Sequence, residues 1–174
     1  MNLKEVILKE HSKAICIRIV KYIDNNPSRF SKLVEVFLAG PYRVTQRAAW
    51  PLSVCVEQNP KLIQPHLNKV LTYLKQPNIH DAVKRNVVRL LQFIKIPKSL
   101  QGKAADICFD LFRNHNEPVA VRVFSMTVLA NLAKELPDLK NELVPLIEDQ
   151  MSFGSAGFIS RGRKLLKELK SNLR

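Results

Sequence analysis

The sequence predicts an all-α protein built as a solenoid of stacked helix pairs. A pattern of two helical segments recurs about every 38 residues and is clearest in the segments that begin at Asn59, Ile96 and Leu136. A fixed period of this size, with two helices per unit, is typical of helical-repeat arrays. Strand signals are weak, because no alternating apolar run is flanked by Asn-Gly or Asp-Gly turns and the chain has only five glycines.

The first pair of helices is predicted near residues 2–24 and 28–39. The break between them falls at the segment DNNPS, and the next break falls at AGPY. Ile15, at the corresponding position of the first unit, lies 29 residues before Val44, so this unit has a shorter period than the later ones. Terminal repeats are expected to be atypical, because they must present a polar outer face to water.

One helix of each later pair opens at or just after a proline. Proline is tolerated at the first helical position, since its missing N–H would have no intrahelical partner there. A second helix-breaking residue follows a few positions later and is expected to bend the helix. The opening prolines are Pro60, Pro97 and Pro137, and the second breakers are Pro65, Gly102 and Pro145.

The other helix of each pair, here called the second helix, carries small or apolar residues at positions i, i+4, i+8 and i+11. These positions lie on one face of an α-helix, which we expect to be buried. The first members are 39, 38 and 37 residues apart, and a neighbouring helix must come close at the second member. The four rows are Val44, Ala48, Leu52, Cys55; Val83, Val87, Leu91, Ile94; Val121, Ser125, Leu129, Leu132; and Phe158, Gly162, Leu166, Leu169.

Breaks between helices divide the chain into nine predicted helices. No linker separates domains, so residues 1–174 are predicted to form a single helical-repeat domain. The breaks lie at 24–28, 39–42, 58–60, 76–78, 96–97, 115–118, 136–138 and 153–157. The predicted units are approximately residues 1–40, 41–77, 78–117 and 118–155, followed by a capping helix at 156–174.

These patterns resemble the HEAT repeats of the armadillo-like helical-repeat proteins. In that family the first helix carries an internal proline, as in the segment LVPLI around Pro145, and the second helix opens with Val-Arg, as at Val121 and Arg122. The resemblance covers about residues 27–172. It implies a right-handed α-α superhelix of about four helix pairs plus a C-terminal capping helix.

One family feature is expected to be absent. HEAT repeats usually place an Asp six residues before the Arg of the second helix, and the two side chains form a ladder. The positions six before Arg47, Arg85 and Arg122 hold Pro41, Ile79 and Asn116.

The net charge of +13 favours an anionic partner, such as nucleic acid, a phosphorylated ligand or an acidic protein. It is uneven, since residues 1–113 carry +11, residues 114–154 carry −3 and residues 155–174 carry +5. No apolar run is long enough for a membrane span, and the N-terminus lacks the apolar core of a secretory signal. We therefore expect a cytoplasmic protein without a membrane segment.

Basic residues at the start of the second helices are the candidate anion-binding or partner-binding site. In stacked helix pairs these helices line the concave face, where a basic stripe could neutralise phosphates or carboxylates. The alternative is structural, with the arginines capping turns and binding carbonyl groups of the preceding helix. The candidates are Arg43, Arg47, Lys84, Arg85, Arg89, Arg122, Arg161 and Arg163.

No catalytic, metal-binding or cofactor-binding residue is predicted. The four histidines, His11, His66, His80 and His115, are far apart, and His80 and His115 are expected in solvated turns. Nucleophile-elbow, phosphate-loop and dinucleotide fingerprints are missing. The three cysteines, Cys16, Cys55 and Cys108, are expected to be buried reduced thiols.

HEAT-like DNA glycosylases use an aromatic wall with an acid in a cleft that faces DNA. Trp50 is the only tryptophan here, and no Asp or Glu lies within four positions of it. We therefore expect Trp50 to be a core residue or a filler between repeats.

The leading hypothesis is a non-enzymatic scaffold that presents a curved basic surface to a protein or acidic partner. The alternative is nucleic-acid binding through the basic concave face. The sequence leaves the oligomeric state open.

Overall fold

The computed structural model describes residues 1–171, which form ten α-helices and one 3₁₀ helix and contain no β-strand. The all-α class is confirmed. The elements are α1 Leu3–Lys9, α2 Lys13–Ile23, α3 Pro27–Ala39, α4 Tyr42–Gln58, the 3₁₀ helix Pro60–His66, α5 Leu67–Tyr73, α6 Asp81–Leu91, α7 Lys98–Arg113, α8 Val119–Leu132, α9 Leu139–Met151 and α10 Ala156–Ser171.

The prediction of one helix across residues 2–24, and hence of nine helices in all, is wrong. The segment is broken at Glu10, whose backbone is extended at φ −158° and ψ 148°. The hydroxyl of Ser12 then accepts a hydrogen bond from the backbone N–H of Ile15 and caps the start of α2. A serine at this position satisfies one of the free N–H groups of a helix start, so a new helix begins there.

The other predicted breaks are confirmed, and each coincides with a helix boundary. Pro60 opens the 3₁₀ helix, and Pro65 lies inside it, just before α5 begins. Gly102 and Pro145 lie inside α7 and α9, which continue through them. A bend at those two positions stays a prediction.

The chain divides into two compact units, Met1–Lys95 and the part that starts at Ile96. In the first unit α4 is the central helix and packs against α1, α2, α3, the 3₁₀ helix and α6. In the second unit α7 packs along α8, and α10 packs against both α8 and α9.

The buried faces predicted for the second helices α4, α6, α8 and α10 are confirmed at all but two positions. Only Ile94, which lies beyond the end of α6, and Leu166 are half-buried. The close approach predicted at Gly162 is also present. A Cβ atom on this glycine would lie 3.0 Å from Sδ of Met151 and 3.3 Å from Cγ2 of Ile147, so the packing of α10 on α9 leaves little room for a side chain.

Candidate functional site

A groove of about 400 Å³ lies between α2 and α4 in the first unit. Its apolar lining comes from Ile17 and Val20 on α2 and from Trp50 and Val54 on α4. Ile17 is 44% exposed although it lies in the middle of its helix. The groove is therefore an apolar surface left open to solvent rather than a gap sealed in the core.

Trp50 reaches this groove because of its place on α4. It follows the exposed Arg43 by seven residues, which is two helical turns, so the two residues lie on the same side of the helix. Its ring meets the edge of the His11 ring at a centroid distance of 5.8 Å. Trp50 was expected to be a core residue or a filler between repeats. It is half-buried and lines the groove, so it is not a core residue, and a role between repeats stays a prediction.

Two lysines, Lys13 and Lys21, also line the groove and are exposed. Neither ammonium group forms a hydrogen bond or ion pair with any residue in the described part of the chain. Asp24 and Asn25 lie at the Lys21 end, together with Gln58 of α4. The groove thus combines an apolar wall with two unpaired cations and one carboxylate at one end.

Three of the eight candidate basic residues are held by bonds within their own unit. Arg47 donates to the carbonyl oxygens of Ile7 and Leu8 at 3.2 and 3.0 Å. Arg89 donates to Oγ of Ser53 and Oε2 of Glu57.

Arg122, in the second unit, donates to Oε1 of Gln150 at 2.6 Å and lies over the ring of Phe158. Burial lowers the pKa of Arg122, and its Nε has no hydrogen-bond partner among residues 1–171. Of these three arginines only Arg47 binds backbone carbonyl groups, and they belong to α1 rather than to the preceding helix, whereas Arg89 and Arg122 bind side chains.

The remaining candidates are less constrained. Lys84 pairs with Asp81 at 3.5 Å on the first turn of α6. Arg43 and Arg85 are exposed, and neither forms an ion pair or hydrogen bond with another described residue. Arg163, which is exposed, and Arg161, which is half-buried, also form no ion pair or hydrogen bond with another described residue.

Sequence reasoning did not select Lys13, Ile17 or Lys21. A signal was present, because the three residues follow at i, i+4 and i+8 and so lie on one face of α2. The spacing was not used because residues 2–24 were predicted to form a single helix, and that prediction did not indicate which helix this face would meet. The expectation of a solvated His80 is wrong, since His80 is half-buried and its Nδ1 accepts from the backbone N–H of Ala82 to cap α6.

The three cysteines are free and buried, as predicted. Burial raises the pKa of Cys16, on the groove floor, to about 11, although the positive charge of Arg89 opposes this shift. Burial likewise raises the pKa of Cys55 and of Cys108 to about 12. At neutral pH all three are thiols rather than thiolates, and a thiol is a poor nucleophile. Among residues 1–171, His, Cys, Asp and Glu side chains form no cluster of three or more that could hold a metal ion.

A family model described as a HEAT repeat domain matches residues 3–169. The chain belongs to the HEAT-repeat family. HEAT repeats commonly act as protein-interaction scaffolds and are typically non-enzymatic, and their stacked units offer extended binding surfaces. Comparison of this HEAT-repeat chain with curated proteins and with solved structures gives no match. Within the described residues no helix combines the length and the apolar character required to cross a bilayer.

Proposed function

We propose that this HEAT-repeat protein is a non-enzymatic scaffold that binds an acidic protein partner through the exposed face of α2, α4 and α6. One observation carries the proposal. The groove between α2 and α4 places exposed apolar side chains beside Lys13 and Lys21, which have no partner among residues 1–171. Open apolar surface rimmed by charge is typical of protein-interaction sites.

The charge of the first unit supports the choice of an acidic partner. Residues 1–95 carry 16 Lys and Arg and only 6 Asp and Glu. Two of these six carboxylates, those of Glu57 and Asp81, are already paired with cations of the same unit. A surface with this excess of positive charge attracts acidic proteins at long range and raises their association rate.

Nucleic acid is the competing partner class, because the same net charge would attract phosphates. The guanidinium groups of Arg47 and Arg89 weigh against it, since both are held by bonds within the unit and the charge of Arg89 is already paired with Glu57. An acidic protein needs fewer cations, because it also gains from apolar contact in the groove.

The test uses the full chain immobilised against an extract of the cells that make it, followed by affinity measurement with each purified partner. We expect an acidic partner whose affinity falls at least about tenfold in the double variant Arg43→Glu and Arg85→Glu, because both substitutions reverse unpaired charges. The matched control is Lys98→Glu with Lys167→Glu, which changes the net charge equally at exposed positions of the second unit.

Fluorescence anisotropy with random-sequence duplex and single-stranded DNA at two salt concentrations separates the two partner classes. The scaffold proposal expects no DNA binding at physiological salt. Strong DNA binding with a steep salt dependence, in the absence of an acidic protein partner, would identify a nucleic-acid binder instead.

A further inference from the structure

The spacing of side chains along the groove between α2 and α4 restricts what can occupy it. Lys13, Ile17 and Lys21 follow one another every four residues, so the two lysines lie about 12 Å apart along the helix axis with the isoleucine midway. Trp50 and Val54 form the opposite wall. A complementary ligand therefore has two negative groups about 12 Å apart and a large apolar group between them.

An extended peptide meets this requirement with five residues. Its first, third and fifth side chains point to the same side, and a strand rises about 3.3 Å per residue, so the outer two lie about 13 Å apart. A helical ligand would need the same three groups at four-residue spacing, because a helix rises only about 1.5 Å per residue. The spacing of the acidic residues in a bound peptide therefore distinguishes the two forms.

We infer that this groove docks an extended acidic segment of a partner protein, with the pattern acid, any residue, large apolar residue, any residue, acid. This inference rests on the proposed function and assigns the partner's contact segment. The apolar side chain packs against Trp50 and Ile17, and the two carboxylates lie over Lys13 and Lys21. Apolar anchors in a pocket commonly supply most of the affinity of such contacts, and charged pairs at the rim supply orientation.

The two ends of the groove are not equivalent. Asp24 lines the groove three residues after Lys21 and reduces the positive charge at that end, whereas the exposed Glu10, three residues before Lys13, does not line the groove. We therefore expect the carboxylate at the Lys13 end to contribute more. The amides of Asn25 and Gln58 lie at the Lys21 end, where they can bond the ligand backbone.

The test is selection from a random twelve-residue peptide library displayed on phage, with the full chain as the target. We expect enrichment of the acid–x–apolar–x–acid pattern over the input library. Failure to enrich any peptide, or enrichment of peptides without acidic residues, would overturn the inference. Selected peptides that lack tryptophan are then synthesised and titrated while the fluorescence of Trp50, the only tryptophan of the chain, is followed.

The titration is repeated with variants that separate the groove from the rest of the surface. Ile17→Glu should weaken binding at least tenfold, and Lys13→Glu should weaken it more than Lys21→Glu. The matched control is Leu8→Glu, because Leu8 is also 44% exposed but does not line the groove. Equal effects of Ile17→Glu and Leu8→Glu, or peptide binding without a change in Trp50 fluorescence, would overturn the inference.

The inference about the groove can fail while the scaffold proposal stands. A purified acidic partner that binds the Ile17→Glu variant as tightly as the unchanged chain, but loses affinity for the Arg43→Glu and Arg85→Glu double variant, would place docking outside the groove and leave the scaffold intact. Absence of any acidic partner would overturn both. Circular dichroism of each variant establishes that it is folded. If Ile17→Glu does not fold, the binding of the Lys13→Glu and Lys21→Glu variants decides the test.

Discussion

Arg89 and Glu57 form an ion pair between neighbouring second helices, with a distance of 2.6 Å between Nη2 and Oε2. The same guanidinium donates through Nη1 to Oγ of Ser53, a fully buried residue, at 3.1 Å. One side chain of α6 thus binds α4 at two positions and fixes how the two helices lie against each other.

Replacing Arg89 by methionine is expected to lower the free energy of unfolding by about 1–3 kcal/mol, because the buried hydroxyl of Ser53 loses its charged donor. Urea unfolding measures the change. Arg85→Met on the same helix is the control and should change stability by less than about 0.5 kcal/mol, since Arg85 is exposed. Equal losses in the two variants would show that the bonds of Arg89 do not stabilise the fold.

Leu129→Ala is expected to cost about 2–5 kcal/mol, because Leu129 is 0% exposed and the substitution leaves a cavity in the core of the second unit. Val119→Ala lies on the same helix but at a position that is 45% exposed, so it should cost far less. Denaturant titration of both variants checks the difference. A loss near zero for Leu129→Ala would mean that its row is not the buried face of α8.

Two glycines inside helices should respond in opposite ways to the same substitution. Gly162→Val is expected to destabilise the chain by about 1–3 kcal/mol, because its Cβ already meets Met151 and Ile147. A Cβ atom at Gly102 would meet no atom within 4 Å, so Gly102→Val should stabilise by a few tenths of a kcal/mol through helix propensity. Thermal unfolding of both variants provides the comparison, and a destabilised Gly102→Val would contradict it.

Stability should fall at alkaline pH in a manner that depends on Cys108. Its pKa is raised by burial from 9.0 to about 12, so the folded chain holds the thiol proton more tightly than the unfolded chain does. Below pH 9 both states are protonated and the contribution is complete, but as the pH rises from 9 towards 12 the unfolded chain loses its proton first.

The measurement is urea unfolding under reducing conditions at several pH values between 8 and 11. The stability difference between the unchanged chain and Cys108→Ala should shrink as the pH rises. A difference that stays constant across this range would mean that the thiol pKa is similar in the folded and unfolded states.

Local sequence patterns were sufficient to predict most of the helices and their buried faces. Within the rows that start at Val44, Val83 and Val121, small or apolar residues recur with the period of a helix. They therefore lie on one face of each helix, and that face is buried. The start of α2 was missed because apolar residues before and after Ser12 continue a plausible helical pattern. The extended backbone of Glu10 and the hydrogen bond from Ile15 to Ser12 show that one helix ends and another begins there.

The candidate site was harder to predict, because it depends on which helices lie side by side. Arg47 and Arg43 look alike in the sequence, yet one is bonded to the backbone of α1, about 40 residues away, and the other is exposed. The groove likewise arises from the packing of α2 on α4, because the spacing of Lys13, Ile17 and Lys21 marks one face of α2 but not the helix that this face meets. Periodicity predicts the face of a helix but not the neighbour that the face meets.

The bonds from Arg47 to the carbonyl oxygens of Ile7 and Leu8 also mean that the first helix holds the guanidinium group in place. Proteolytic trimming of residues 1–9, or a purification tag that disrupts them, would uncover the guanidinium of Arg47. A shortened chain would then present one more unpaired cation to polyanions, so affinity measurements need mass spectrometry of the sample to show that this helix is still present.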